Sequence, residues 1–79
     1  MFVDYYKVLE IPATASQAEI QKAYRRAAMK WHPDRYKGAD ANERMASVNE
    51  AYCILRDPEA RRKYDAELQR YQSLFGSRT

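Results

Sequence analysis

His32 and Asp34, separated only by Pro33, are the side chains of this chain best placed to do chemistry: an imidazole and a carboxylate on either side of a rigid residue. As an acid-base pair they would need a substrate pocket, and neighbours in sequence around a proline do not build one. As a recognition feature they need only a fixed turn. A carboxylate on a turn can accept a charge-assisted pair from a partner arginine, worth roughly 1.5–3 kcal/mol. His32 is the only histidine and Cys53 the only cysteine, so a metal-ligating set is not expected. With two glycines and no glycine-rich phosphate loop, the chain offers no P-loop nucleotide site. No catalytic residue, cofactor or metal is assigned.

The turn must be held by helices. Proline disfavours helical geometry in the residue before it, so the preceding helix should end at Trp31 or His32. Ser16 stands three residues before Glu19, a capping-box spacing that starts this helix near Gln17. A 100° wheel puts Ile20, Ala23, Tyr24, Ala27 and Trp31 on one side and Lys22, Arg25, Arg26 and Lys30 on much of the other. The apolar face is expected to pack and the basic face to be displayed. Arg35 to Asp40, with Gly38, reads as a loop, after which Met45, Val48, Tyr52 and Leu55 form the core face of a third helix. Two long helices joined by a short loop pack antiparallel. Asp57-Pro58 ends that helix and caps another, in which Tyr64 and Leu68 face inward, with Tyr71 and Phe75 spaced to extend the stripe. A short apolar helix over about Tyr5 to Leu9 is stopped by Ile11-Pro12. No Asn-Gly or Asp-Gly hairpin signal and no convincing alternation support a strand. The fold class is all-α.

Seventy-nine residues allow one small domain, which buries only about 60% of its unfolded surface and leaves little room for a catalytic cavity. Hydrophobic residues at 46% beside 32% charged residues place it among ordered globular domains. Tyr5, Tyr6, Tyr52 and Tyr64 are expected in the core, with Cys53 as a small core filler whose isolation favours a reducing compartment. Arg61-Arg62-Lys63, with Glu59, Asp65 and Glu67 nearby, reads as a charge-balanced surface helix. The net charge of +3 is uneven: residues 21–37 hold six cations against Asp34, +5, so the remainder sums to −2. An acidic partner surface is implied. No run of about 18 apolar residues would span a membrane, and Met1 to Val8 lacks a signal-peptide core. The expectation is a soluble, cytoplasmic protein without a membrane partner.

Five stretches together resemble the J domain of DnaJ-type co-chaperones, the 40-kDa heat-shock family: Asp4-Tyr5-Tyr6-Lys7-Val8-Leu9, Ile20 through Trp31, His32-Pro33-Asp34-Arg35, Asn49-Glu50-Ala51-Tyr52 and Arg61-Arg62-Lys63-Tyr64-Asp65. The resemblance implies a four-helix module over residues 1–68, its central antiparallel pair (helices II and III) joined by the HPD loop, with 69–79 a helix extension or the start of a tail. It further implies docking on a DnaK-type 70-kDa heat-shock chaperone and stimulation of that partner's ATP hydrolysis, with no catalysis by the module itself. Asp34 would carry the key contact, and His32 and Pro33 would shape the turn. Tyr24, Arg25 and Arg26 match the family's docking surface, Lys22 and Lys30 would add electrostatic support, and Arg35 completes the motif. Unfolded client proteins would be held by regions outside this chain. Gln21 stands where many relatives carry a cation, Ala27 where leucine is common and Met45 where phenylalanine is frequent. The competing class is a basic helical nucleic-acid binder. Glu43 and Glu50 on the third helix, and the lack of a short helix-turn-helix turn, speak against it.

Overall fold

The computed structural model describes residues 2–76. In chain order these form α1 (Tyr5–Val8), α2 (Gln17–Trp31), α3 (Ala41–Leu55) and α4 (Pro58–Tyr71), followed by a π-helical turn over Gln72–Gly76. No strand occurs among the described residues.

Local chemistry sets most boundaries. Asp4 caps α1 by accepting from the backbone N–H groups of Tyr6 and Lys7. The helix closes with Ile11 N–H on the Tyr6 carbonyl (2.9 Å) and Glu10 N–H on that of Lys7 (3.0 Å), a Schellman pattern. Glu10 occupies the left-handed position of that motif at φ 58°, where a non-glycine residue costs roughly 1–2 kcal/mol. Ser16 and Glu19 form the reciprocal capping box of α2, 3.1 Å from Glu19 N–H to Ser16 Oγ and 2.8 Å from Ser16 N–H to Glu19 Oε1. At the other end His32 turns extended (φ −62°, ψ 135°) before Pro33. Asp57 caps α4, with Pro58 in its first turn.

Three cross-contacts show that α2 and α3 run antiparallel. Gln17 Nε2, at the start of α2, donates to the carbonyls of Leu55 and Arg56 at the end of α3, both at 3.1 Å. Midway, the Tyr24 and Tyr52 rings stack with centroids 4.1 Å apart. At the far end the Arg44 guanidinium lies 4.7 Å from the Trp31 ring centroid. Between the pair and α1 sits the core, with Leu9, Ile20, Val48 and Leu55 fully buried and Tyr6, Ala23, Ala51 and Leu68 beside them. Each large member stabilises the fold by roughly 1.5–3 kcal/mol. The small residues Ala23, Ala27 and Ala51 line the same core.

Aromatic contacts tie the chain's beginning to α4. Phe2 stacks against Tyr64 and Tyr71 at 5.6 and 4.9 Å, and Tyr71 meets Phe75 at 5.1 Å. Tyr5 N–H donates to Tyr64 Oη (2.8 Å), and the Tyr64 hydroxyl donates to the Val3 carbonyl (2.7 Å). Tyr71 and Phe75 nevertheless stay exposed, so the inward stripe of α4 ends at Leu68.

Two further expectations are corrected. Cys53 is exposed, not core filler: five residues from Val48 and two from Ala51, it points away from the buried face of α3. Arg61 is no solvated surface cation, since only 15% of its side chain is exposed. Its guanidinium donates to the Ala13 carbonyl (3.1 Å), the Ala15 carbonyl (2.6 Å), Tyr6 Oη (2.9 Å) and Gln17 Oε1. These bonds fasten α4 to the connection between α1 and α2. Arg62 and Lys63 are exposed, as expected, with Arg62 paired to Glu59 at 2.9 Å.

Candidate functional site

The turn after α2 is built by one carbonyl. His32 O accepts from both Arg35 N–H and Tyr36 N–H at 2.8 Å, folding residues 33–35 into a tight projection. His32 Nδ1 accepts from Asp34 N–H at 3.2 Å. The Asp34 carboxylate stands 3.7 Å from His32 Nδ1, outside hydrogen-bonding distance, and its side chain is 88% exposed. It is available to a cation from outside.

The basic residues divide into two groups. Lys22, Arg25, Arg26 and Arg35 are exposed and make no ion pair among the described residues. Lys30, by contrast, is paired with Glu10 at 3.3 Å and lies 5.1 Å from the Trp31 centroid. A groove between α2 and the two residues that follow α1 is lined by Leu9, Glu10, Ala23, Arg26, Ala27 and Lys30, giving the cations an apolar floor. Tyr24 is half-buried: besides stacking on Tyr52, its hydroxyl donates to Asn49 Oδ1 at 2.9 Å. It forms the edge between the displayed face of α2 and the α2–α3 seam.

Beneath the turn lies a set of residues to which the sequence reading assigned no role. Tyr36 donates its hydroxyl to Asp40 Oδ1 (2.8 Å), and Arg44 Nε donates to Asp40 Oδ2 (3.0 Å). The Tyr36 ring meets Trp31 edge-on, at 4.9 Å and 89°. The hydroxyl bond to Asp40 pushes the Tyr36 phenol above its ordinary pKa. The same bond, with that from Arg44, holds the Asp40 carboxyl below the usual carboxylate range. Asp40 precedes α3 but its side chain makes no capping hydrogen bond; its two oxygens are engaged by Tyr36 and Arg44. The four-residue spacing of Tyr36, Asp40 and Arg44 was the signal available in the sequence. It is a weak one, since half of the span is loop.

Together these features form an exposed carboxylate on a hydrogen-bonded turn that follows a helix face carrying unpaired cations. The DnaJ domain family model matches residues 4–65. The chain belongs to the DnaJ-domain family. This J domain is 53% identical over 62 residues to the chaperone protein DnaJ of Mycoplasmoides gallisepticum, covering 78% of this chain and 16% of that protein. Its likeness to a DnaJ-like protein of Synechocystis is longer, 46% over 77 residues, or 96% of this chain and 23% of the relative. DnaJ homolog subfamily B member 5 of Homo sapiens is 50% identical over 62 residues, 78% of this chain and 18% of that protein. The chain thus spans less than a quarter of the length of these relatives. No helix among the described residues is long and apolar enough to cross a membrane.

Proposed function

We propose that this J domain docks on a DnaK-type 70-kDa heat-shock chaperone and stimulates that partner's ATP hydrolysis, without catalysing a reaction itself. The observation that carries the reading is the Asp34 carboxylate, 88% exposed on a hydrogen-bonded turn and beyond hydrogen-bonding distance of His32. Such a group is poised to take a charge-assisted pair from a partner arginine. Lys22, Arg25, Arg26 and Arg35 steer an acidic surface toward it and set the approach. His32 and Pro33 shape the turn, Tyr24 borders the contact, and Lys30 supports it while bound to Glu10. The mechanism is a population shift: the J domain binds one conformation of the partner more tightly and so favours the hydrolysis-competent arrangement.

Residues 1–68 constitute the docking module in this proposal, with 69–79 a helix extension or the start of a tail. Holding of unfolded clients falls to regions outside this chain, and the module works in the cytoplasm. The test is single-turnover ATP hydrolysis by a DnaK-type chaperone with wild-type J domain, with Asp34→Asn and with neither. Stimulation by the wild type alone is expected. A folded Asp34→Asn protein that stimulates normally would overturn the assigned contact.

A further inference from the structure

The set beneath the turn closes on itself. Trp31 ends α2, Tyr36 lies in the loop, Asp40 precedes α3 and Arg44 occupies its first turn. Trp31 touches Tyr36 edge to face at 4.9 Å, Tyr36 bonds Asp40 at 2.8 Å, Asp40 bonds Arg44 at 3.0 Å, and Arg44 returns over the Trp31 ring at 4.7 Å. Residues 32–35 are the chain bridged by this circuit. Its backbone anchor is Tyr36 N–H on the His32 carbonyl, so the residue whose ring packs on Trp31 also holds the turn.

Gly38 supplies an independent observation. Its φ is not positive, so glycine is not needed here for backbone geometry. It is needed for room: a Cβ at this position would collide with Cζ and Oη of Tyr36. The loop is therefore shaped to let the Tyr36 ring lie across it and reach Asp40.

We propose that Trp31, Tyr36, Asp40 and Arg44 form a latch that holds the His32-Pro33-Asp34 turn in its presenting conformation, making Tyr36, Asp40 and Arg44 positioning residues for stimulation of the partner's ATP hydrolysis. The proposal rests on the co-chaperone reading above. The physical basis is preorganisation. A three-residue projection tethered only at its ends samples many orientations of Asp34, and the apparent affinity falls by the fraction of time spent in the competent one. A ring wedged against Trp31 and a carboxylate bridging two helix-flanking groups remove that freedom. Arg44 also fixes the start of α3 relative to the end of α2, so the latch sets turn and helix pair together.

Two variants break the latch by different routes. Arg44→Met keeps the aliphatic stem but removes the Asp40 pair and the cation over Trp31. Gly38→Ala changes no charge and displaces Tyr36. Trp31 is the sole tryptophan of the chain, so its emission in the free protein reports the circuit, and single-turnover hydrolysis by a DnaK-type chaperone, titrated with each protein, reports the function. Both variants should keep wild-type helical circular dichroism and shift the Trp31 emission. They should also raise the J-domain concentration for half-maximal stimulation about tenfold, as expected if the turn is competent one-tenth of the time, while reaching the wild-type maximal rate. Arg44→Lys, which restores a cation, should recover most of the loss. Wild-type titration curves for both latch variants, or an unchanged Trp31 emission in Arg44→Met, would overturn the latch while leaving the co-chaperone reading in place. Failure of the wild type itself to stimulate would overturn that reading and the latch's role with it.

Discussion

The beginning of α2 and its displayed face use arginine in opposite ways. At its beginning Arg61 reaches across from α4 and spends its guanidinium on two carbonyls, a phenol and an amide oxygen. Along its length and beyond its end, Arg25, Arg26 and Arg35 point to solvent with no ion pair among the described residues. Residue type does not distinguish the two groups; packing does. Where backbone carbonyls at Ala13 and Ala15 would be left without donors, the arginine satisfies them and becomes structural. Where the helix face meets only water, it remains free to meet another protein. The tyrosines repeat the contrast: Tyr5 and Tyr6 bond Glu50 and Asp65 within the fold, while Tyr36 is recruited by the turn.

If the Arg61 end is structural and the turn is for recognition, mutations should separate stability from activity. The largest effect is expected for Arg61→Met, which strands several polar groups and should cost about 3 kcal/mol, read as a lower urea midpoint. That is a large part of a small domain's stability. An unfolding free energy within about 0.5 kcal/mol of wild type would erase the contrast. Asp34→Asn should do the reverse, leaving the unfolding free energy within about 0.5 kcal/mol of wild type because an 88% exposed side chain is changed. Its expected loss of stimulation then makes the separation complete. A smaller effect is expected for Arg25→Ala: alanine suits a helix, so the fold stays, while the association rate with a DnaK-type chaperone falls several-fold at low salt. Stopped-flow rates should converge with wild type as salt rises; a salt-independent deficit would point to a direct contact instead of steering.

The mildest test is alkaline titration. The hydrogen bond to Glu50, followed by burial, pushes Tyr5 up to about 12, and burial, followed by the bond to Asp65, does the same for Tyr6 against the opposing pull of Arg61. Burial also raises Tyr64. The folded state therefore holds these phenolic protons more tightly than the unfolded chain, with its pKa of 10.0. Their contribution is fully present below pH 10 and is lost progressively as pH rises toward 12. The urea midpoint should fall over that window, and replacing Tyr5 and Tyr6 by Phe should flatten the fall. Asp34→Asn should leave it unchanged, since the turn makes no contact with these phenols.

Much of the architecture was legible because it is local. The Ser16–Glu19 capping box, the stop before Pro33 and the Asp57-Pro58 junction each involve groups within three residues, and the helix boundaries follow them. The positions of His32, Pro33 and Asp34 on a turn at a helix end were equally legible, as was the basic face of α2. Cys53 was misplaced through residue type, although its phase relative to Val48 and Ala51 already put it outside. The packing role that periodicity gives Tyr24 is visible in its stacking on Tyr52 and its hydroxyl bond to Asn49, both on α3.

The sequence by itself therefore determined the helices, the greater part of their apolar faces and the exposed carboxylate between the central two, because backbone capping, proline geometry and 3.6-residue periodicity act over a few residues. Tertiary structure alone decided which charges are spent and which are displayed. Arg61 finds Ala13 and Ala15 46 to 48 residues away, and Tyr64 finds Val3 at a separation of 61. The Trp31–Arg44 contact exists only because two helices fold back on each other. Hydrogen bonding and cation–π attraction are short-ranged, so the assignment of each cation had to await the fold that chose its neighbours.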